Sequence, residues 1–181
     1  MKKLALLLFT LFVLSSCGTA TPTADESTKI YTASGFTINI PTTWTVVDKN
    51  ALPQIKTGQV ELAVSSPDIS SGFANNLVVI WQDLLEKTTS KQYSIINYSL
   101  STWEYIEFTK LNEKTISFSD KDESNLYIFE AKYNETTPKR EFLQTAKICW
   151  SKVYLLTIWI ELGTTDTTRY ENLITNFICT K

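Results

Sequence analysis

Histidine is absent from all 181 residues, and the chain has only three cysteines, one methionine and five glycines. Without histidine there is no Ser-His-Asp relay, no Cys-His nucleophile pair and no imidazole metal ligand. The cysteines, Cys17, Cys149 and Cys179, form no Cys-x-x-Cys motif, which argues against a dithiol redox centre. Acids outnumber bases 19 to 17 and no basic run occurs, so nucleic acid is not an expected partner. The apolar stretch Leu4–Leu14, broken only by Thr10, is about eleven residues long, short of the roughly twenty that cross a bilayer as a helix.

That stretch has its own logic. Met1-Lys2-Lys3 places two cations ahead of it, and Leu14-Ser15-Ser16-Cys17 closes it with small residues, the three zones of a secretory signal. The closing four residues resemble the lipobox of bacterial lipoprotein precursors: an aliphatic residue, two small ones, then cysteine. The resemblance implies cleavage before Cys17 and acylation of its thiol. Two or three acyl chains, at about 0.8 kcal/mol per buried methylene, would make a lasting anchor. Gly18 rather than Asp follows the cysteine, which favours the outer membrane if the cell has two. The plainer alternative is an ordinary signal peptide with a cysteine nearby.

Loss of residues 1–16 removes two lysines and no acid, leaving a net charge of about −4. Residues 17–29 carry the lipid and read as a flexible tether, small and polar without apolar period. Residues 30–181 then form one domain, rich in Thr, Ile, Tyr, Trp and Phe and therefore in sheet.

Ile30–Ala33 and Phe36–Ile40 flank Ser34-Gly35 as a hairpin, stopped by Pro41, and Trp44–Val47 resumes an extended path. Val60–Val64 and Leu77–Trp81 are further strands, separated by a turn-rich stretch, Ser65–Asn76. Tyr93, Ile96, Leu100 and Trp103 recur at helical spacing after Thr88, Thr89 and Ser90, predicting an amphipathic helix over Ser90–Phe108. Four strands follow: Lys114–Phe118, Asn125–Tyr133, Glu141–Trp150 and Val153–Leu162. The last is nearly all apolar, as a central strand buried on both faces should be. A closing helix capped by Thr165 or Asp166 carries Tyr170, Leu173, Ile174 and Phe177 on one face. The class is α+β, an antiparallel sheet with helices laid against it.

The phrases Gly35-Phe36-Thr37-Ile38-Asn39-Ile40-Pro41-Thr42-Thr43-Trp44, Asn76-Leu77-Val78-Val79, Lys152-Val153-Tyr154-Leu155-Leu156-Thr157-Ile158 and Tyr170…Ile174…Phe177 resemble the PsbP/Mog1-like fold, over roughly residues 30–179. The resemblance implies six or seven antiparallel strands between helices. It implies no single activity, because members of that fold serve unrelated roles.

Candidate chemistry is sparse. Cys149 and Cys179 are the pair left once Cys17 is acylated, and a helix packing back over the sheet could bring them together as a disulfide closing about thirty residues. The alternative is two separate thiols. Glu104 and Glu107, one helical turn apart, are expected to face water. Asp120, Asp122 and Glu123 cluster in a turn expected to be solvated, without the glycine and final glutamate of an EF-hand loop. Of the five tryptophans, Trp159 is expected in the core and Trp44, beside the proline turn, is the one expected to be partly exposed. No catalytic residue, metal or cofactor is expected. The expected role is a non-enzymatic binding or accessory module for another envelope component, held at a membrane through Cys17. The alternative is a carrier of a small apolar ligand or lipid in a pocket between sheet and helix.

Overall fold

Residues 27–52, 58–70 and 72–181 are described by the computed structural model; Cys17, the segment 1–16 and the tether as far as residue 26 lie outside them. The first strand begins two residues earlier than the sequence suggests, at Thr28. Ser27 is held at Thr42, whose N–H donates to the Ser27 carbonyl at 2.9 Å while the two hydroxyls meet at 2.7 Å. Strand β1 (Thr28–Ala33) therefore pairs antiparallel with β2 (Phe36–Pro41), from Thr28↔Pro41 to Ala33↔Phe36. Gly35 turns this hairpin with φ of 101°, a conformation that L side chains rarely adopt.

After β3 (Thr45–Val46) come the long partners β4 (Gln59–Ser70) and β5 (Phe73–Asp83). The stretch Ser65–Asn76, expected as turn, is mostly strand. Pairing runs from Gln59↔Trp81 to Ser70↔Phe73, and a register shift between Ser65 and Ile69 absorbs Pro67, which cannot donate to a ladder. Helix α1 (Ser90–Glu104) follows, then β6 (Ile106–Ser117), β7 (Glu123–Lys132), β8 (Arg140–Cys149) and β9 (Lys152–Ile160) as a meander. Helix α2 (Thr168–Thr175) and β10 (Ile178–Cys179) close the chain. The main sheet is antiparallel with order β3-β4-β5-β9-β8-β7-β6, so β9 is its middle strand, and β1-β2-β10 form a separate small sheet. The class is α+β.

The two faces of the main sheet are treated differently. On one, Leu62, Val64, Leu77, Val79, Leu156 and Ile158 meet Phe36, Ile38 and Ile40 of the small sheet and Tyr170, Ile174 and Phe177 from the α2 region, all almost fully buried. The closing helix thus buries the face its spacing predicts, with a small sheet beside it rather than a second helix. On the other face α1 lies across β7 and β8 and leaves β4, β5 and β9 without a covering element among the described residues.

Helix α1 differs most from expectation. Its start is as read: the Thr89 hydroxyl accepts from Gln92 N–H and the Gln92 side chain accepts from Thr89 N–H, a capping box. Its end comes at Glu104 instead of Phe108, because Tyr105 swings to extended backbone and seats its ring on Phe142 and Phe129, at 4.9 and 5.7 Å. Glu107 therefore lies in β6, paired with Lys132, not one turn from Glu104. The face set on the sheet is also inverted. Ser90, Ser94 and Ser101 are buried, whereas Ile95, Ile96, Leu100 and Trp103 are exposed, Trp103 to 87%. Small hydroxyls let the helix approach closely and bond across: Ser94 Oγ accepts from Asn125 N–H and donates to Lys91 O, and Ser101 Oγ donates to Gln144 Oε1.

Candidate functional site

The uncovered half of the sheet becomes the floor of a groove of about 810 Å³. Alternation along the strands decides its chemistry: Leu77 and Val79 point to the core, so Val78 and Ile80 point into the groove. Val60 and Ala63 of β4 and Val153 and Leu155 of β9 complete an aliphatic floor. One wall is α1, through Tyr93, Leu100 and Ser101; the other is the segment after β3, through Val47 and Leu52. The sequence reads β9 as a central strand buried on both faces, and on its groove face Val153 and Thr157 are buried while Leu155 and Trp159 are half-buried. Trp159, expected in the core, is half-buried there, against Tyr133 at 5.5 Å and Phe142 at 5.0 Å.

About a third of the lining residues are polar, and all of these but Glu104 are uncharged. Gln144 lies at the floor, where its Nε2 donates to Thr157 Oγ1 at 3.2 Å and its Oε1 accepts from Asn97 and Ser101, both at 2.9 Å. Those bonds leave the amide well satisfied. Among the described residues that line it, Glu104, exposed on the last turn of α1, is the only carboxylate, and none is Lys or Arg. Tyr105 is buried beside it, and burial, with Tyr133 and Glu104 nearby, pushes its phenol pKa up.

At the Phe73 end of the groove one cation comes close. The Arg140 guanidinium carbon lies 4.2 Å from the centre of the Phe73 ring. Its Nε is buried without a hydrogen-bond partner, and among the described residues it forms no ion pair. Leaving such a donor unmet costs on the order of 1–3 kcal/mol. Neither Arg140 nor Phe73 stands out in the sequence; only the two-residue alternation of β5 hints at an open face.

The acidic turn after β6 is not merely solvated. Lys147, its side chain 2% exposed, bridges Asp120 at 2.8 Å and Asp122 at 2.9 Å, and Asp122 accepts from the Ser90 hydroxyl at 2.5 Å. Burial raises the Asp120 pKa, but the Lys147 hydrogen bond and two backbone N–H bonds outweigh it and hold the carboxyl below its ordinary value. The cluster pins the start of α1 to the turn before β7 and to β8.

Cys149 and Cys179 are joined, with Cα atoms 5.6 Å apart and a separation of 30 residues. The bond reaches from β8 to β10, on the side of the sheet away from the groove. Trp44 corrects an expectation. It is 6% exposed, because the Pro41 carbonyl accepts its N–H at 3.0 Å and turns the indole inward beside Ile40 and Leu62. The outlying tryptophans are instead Trp103 and Trp150.

No protein-family model and no curated protein matches the chain. Among solved structures it is similar to the cyanobacterial PsbP protein (CyanoP) of Synechocystis sp. PCC 6803, with a TM-score of 0.60 at 16% identity over 92% of this chain and 99% of that one. It is also similar to a protein of unknown function and putative regulator from Pseudomonas aeruginosa, with a TM-score of 0.50 at 10% identity over 80% and 88% of the two chains. At these identities the likeness establishes a PsbP-like fold and nothing of activity.

Proposed function

We propose that the chain is an extracytoplasmic protein, anchored to a membrane through lipid on Cys17, whose domain carries an apolar small molecule between α1 and the face of β4, β5 and β9. The observation that supports this reading is the groove of about 810 Å³, aliphatic on its floor and bordered by Tyr93 and Leu100 of α1. Sites for small molecules have this size and this make-up, a mostly apolar surface with few placed polar groups. The lipobox-like Leu14-Ser15-Ser16-Cys17 supports the anchor, on the outer membrane in a cell with two. The domain acts by holding, not by catalysing.

The test is extraction and mass spectrometry of what co-purifies with the chain from membranes, beside an Ile80→Trp variant that fills the groove. An apolar molecule retained by the parent and lost from the variant is the expected result. Equal retention by both, or none by either, sinks the reading.

A second reading rests on a separate observation. Ile95, Ile96 and Trp103 form an exposed apolar strip on the outer side of α1, which suits an accessory module that docks on another envelope protein. Crosslinking in intact cells from the position of Trp103, against a control carrying the lipobox alone, should then enrich one envelope protein; no enrichment removes this reading.

A further inference from the structure

We infer that the ligand of the groove is a single-chain amphiphile with a carboxylate head, its tail along β5 and β9 and its head on Arg140. The inference rests on the carrier reading above and adds the class of ligand.

Size selects the tail. The floor runs along β5 from Gln82 to Asn76, about 20 Å at roughly 3.4 Å per residue. An acyl chain in one leaflet spans about 15 Å, half of a hydrocarbon core of about 30 Å. At roughly 30 Å³ for each water-sized group, about 810 Å³ accommodates on the order of 27 such groups. That is enough for one long chain and its head, and too little for a two-chain glycerolipid.

Charge selects the head and its position. Lys139, next to Arg140, is engaged by Glu130 at 3.2 Å, and Glu161 at the end of β9 accepts the Ser70 hydroxyl at 2.9 Å. Among the described residues near the groove, Arg140 is the cation without an ion pair, its guanidinium stacked on a lining ring and its Nε–H unmet. A guanidinium fork offers a carboxylate two parallel N–H bonds, which a neutral head cannot match.

The chain from residue 17 with Cys17→Ser, which contains every described element, is titrated at pH 8 with dodecanoate and with dodecanol, identical tails with charged and neutral heads. Dodecanoate is expected to bind about tenfold more tightly, the size of one charge-assisted hydrogen bond. Arg140→Gln should erase that difference by weakening dodecanoate while leaving dodecanol unchanged, so dodecanol also reports that the variant is folded. Equal binding of the two by the parent, or an Arg140→Gln variant that loses neither or both in proportion, overturns the assignment of the head and leaves the groove reading standing. If neither tail binds, both readings fall. If a short-chain phosphatidylglycerol binds more tightly than dodecanoate, the single-chain assignment is overturned.

Discussion

Lys147 shows how much a single buried cation can depend on its surroundings. It gives up nearly all contact with water and is repaid by two carboxylates and the face of Phe118, 4.8 Å from its ammonium. The partners are unequal in exposure, with Asp120 and Asp122 left 34% and 39% accessible. Removing the lysine returns two carboxylates to water, whereas removing the carboxylates strands a buried charge. Lys147→Met is therefore expected to cost about 1–2 kcal/mol, and the double change Asp120→Asn, Asp122→Asn about 3–5 kcal/mol, measured by urea unfolding at pH 7. An order reversed between the two would refute the account. The pH dependence follows from the same site. Because the folded-state pKa of Asp120 is depressed, its contribution is present above the unfolded value near 3.9 and is lost as pH falls through the folded value. Glu141 behaves oppositely. Burial and then Glu130 raise its pKa, so its protonated form is favoured in the fold and its contribution is lost as pH rises through the raised value. Glu141→Gln should be more stable than the parent at pH 7, and the gap should close as pH approaches 4. Thermal scans of the pair at several pH values check this.

At the scale of elements, strand alternation and the turn at Gly35 were legible, while the pairing across Ser65–Asn76 and the orientation of α1 were not. The hairpin around Gly35, the meander from β6 to β9 and the closing helix follow from residues whose local preference and buried face agree. In α1 they conflict. Its apolar residues Ile96, Leu100 and Trp103 mark a stripe at helical period, yet close approach to β7 and β8 selects the serine face, because Tyr98 and Tyr105 already fill the space beside it. Tyr98 stacks on Tyr127 at 3.9 Å, and this pair, set by tertiary contact, outweighs the pattern. Arg140 was invisible for a similar reason, since its partner Phe73 sits in a stretch that reads as turn. The inverted helix makes a sharp prediction. Ser94→Leu, which improves the local propensity, should destabilise by about 1–3 kcal/mol through overpacking, whereas Trp103→Ser should change stability by no more than about 0.5 kcal/mol. Chemical denaturation of both variants decides it; the opposite order would mean that the stripe is packed after all.

Across the whole molecule, the continuous core and the proposed binding groove lie on opposite faces of one sheet. The face toward the small sheet carries the continuous core and the Cys149–Cys179 bond, while the groove occupies the other. A bond closing 30 residues contributes about 3–4 kcal/mol in the chain-entropy model, and β10, two residues long and paired only with β2, is the element it secures. Replacing both cysteines by serine should thus lower the melting temperature by several degrees. The earliest gain in amide exchange should fall at Ile178 and at its partner Thr37. The groove should be indifferent, because Val78, Ile80 and Leu155 are each paired with a neighbouring strand on both sides. Amide exchange on the double variant, run with a groove-binding amphiphile present and absent, separates the two faces. Protection by the amphiphile should persist along β5 and β9 while the C-terminal strand opens. Loss of both together would mean that the disulfide side and the groove side form one cooperative unit, and that a carrier of this design could not be tuned at one face without the other.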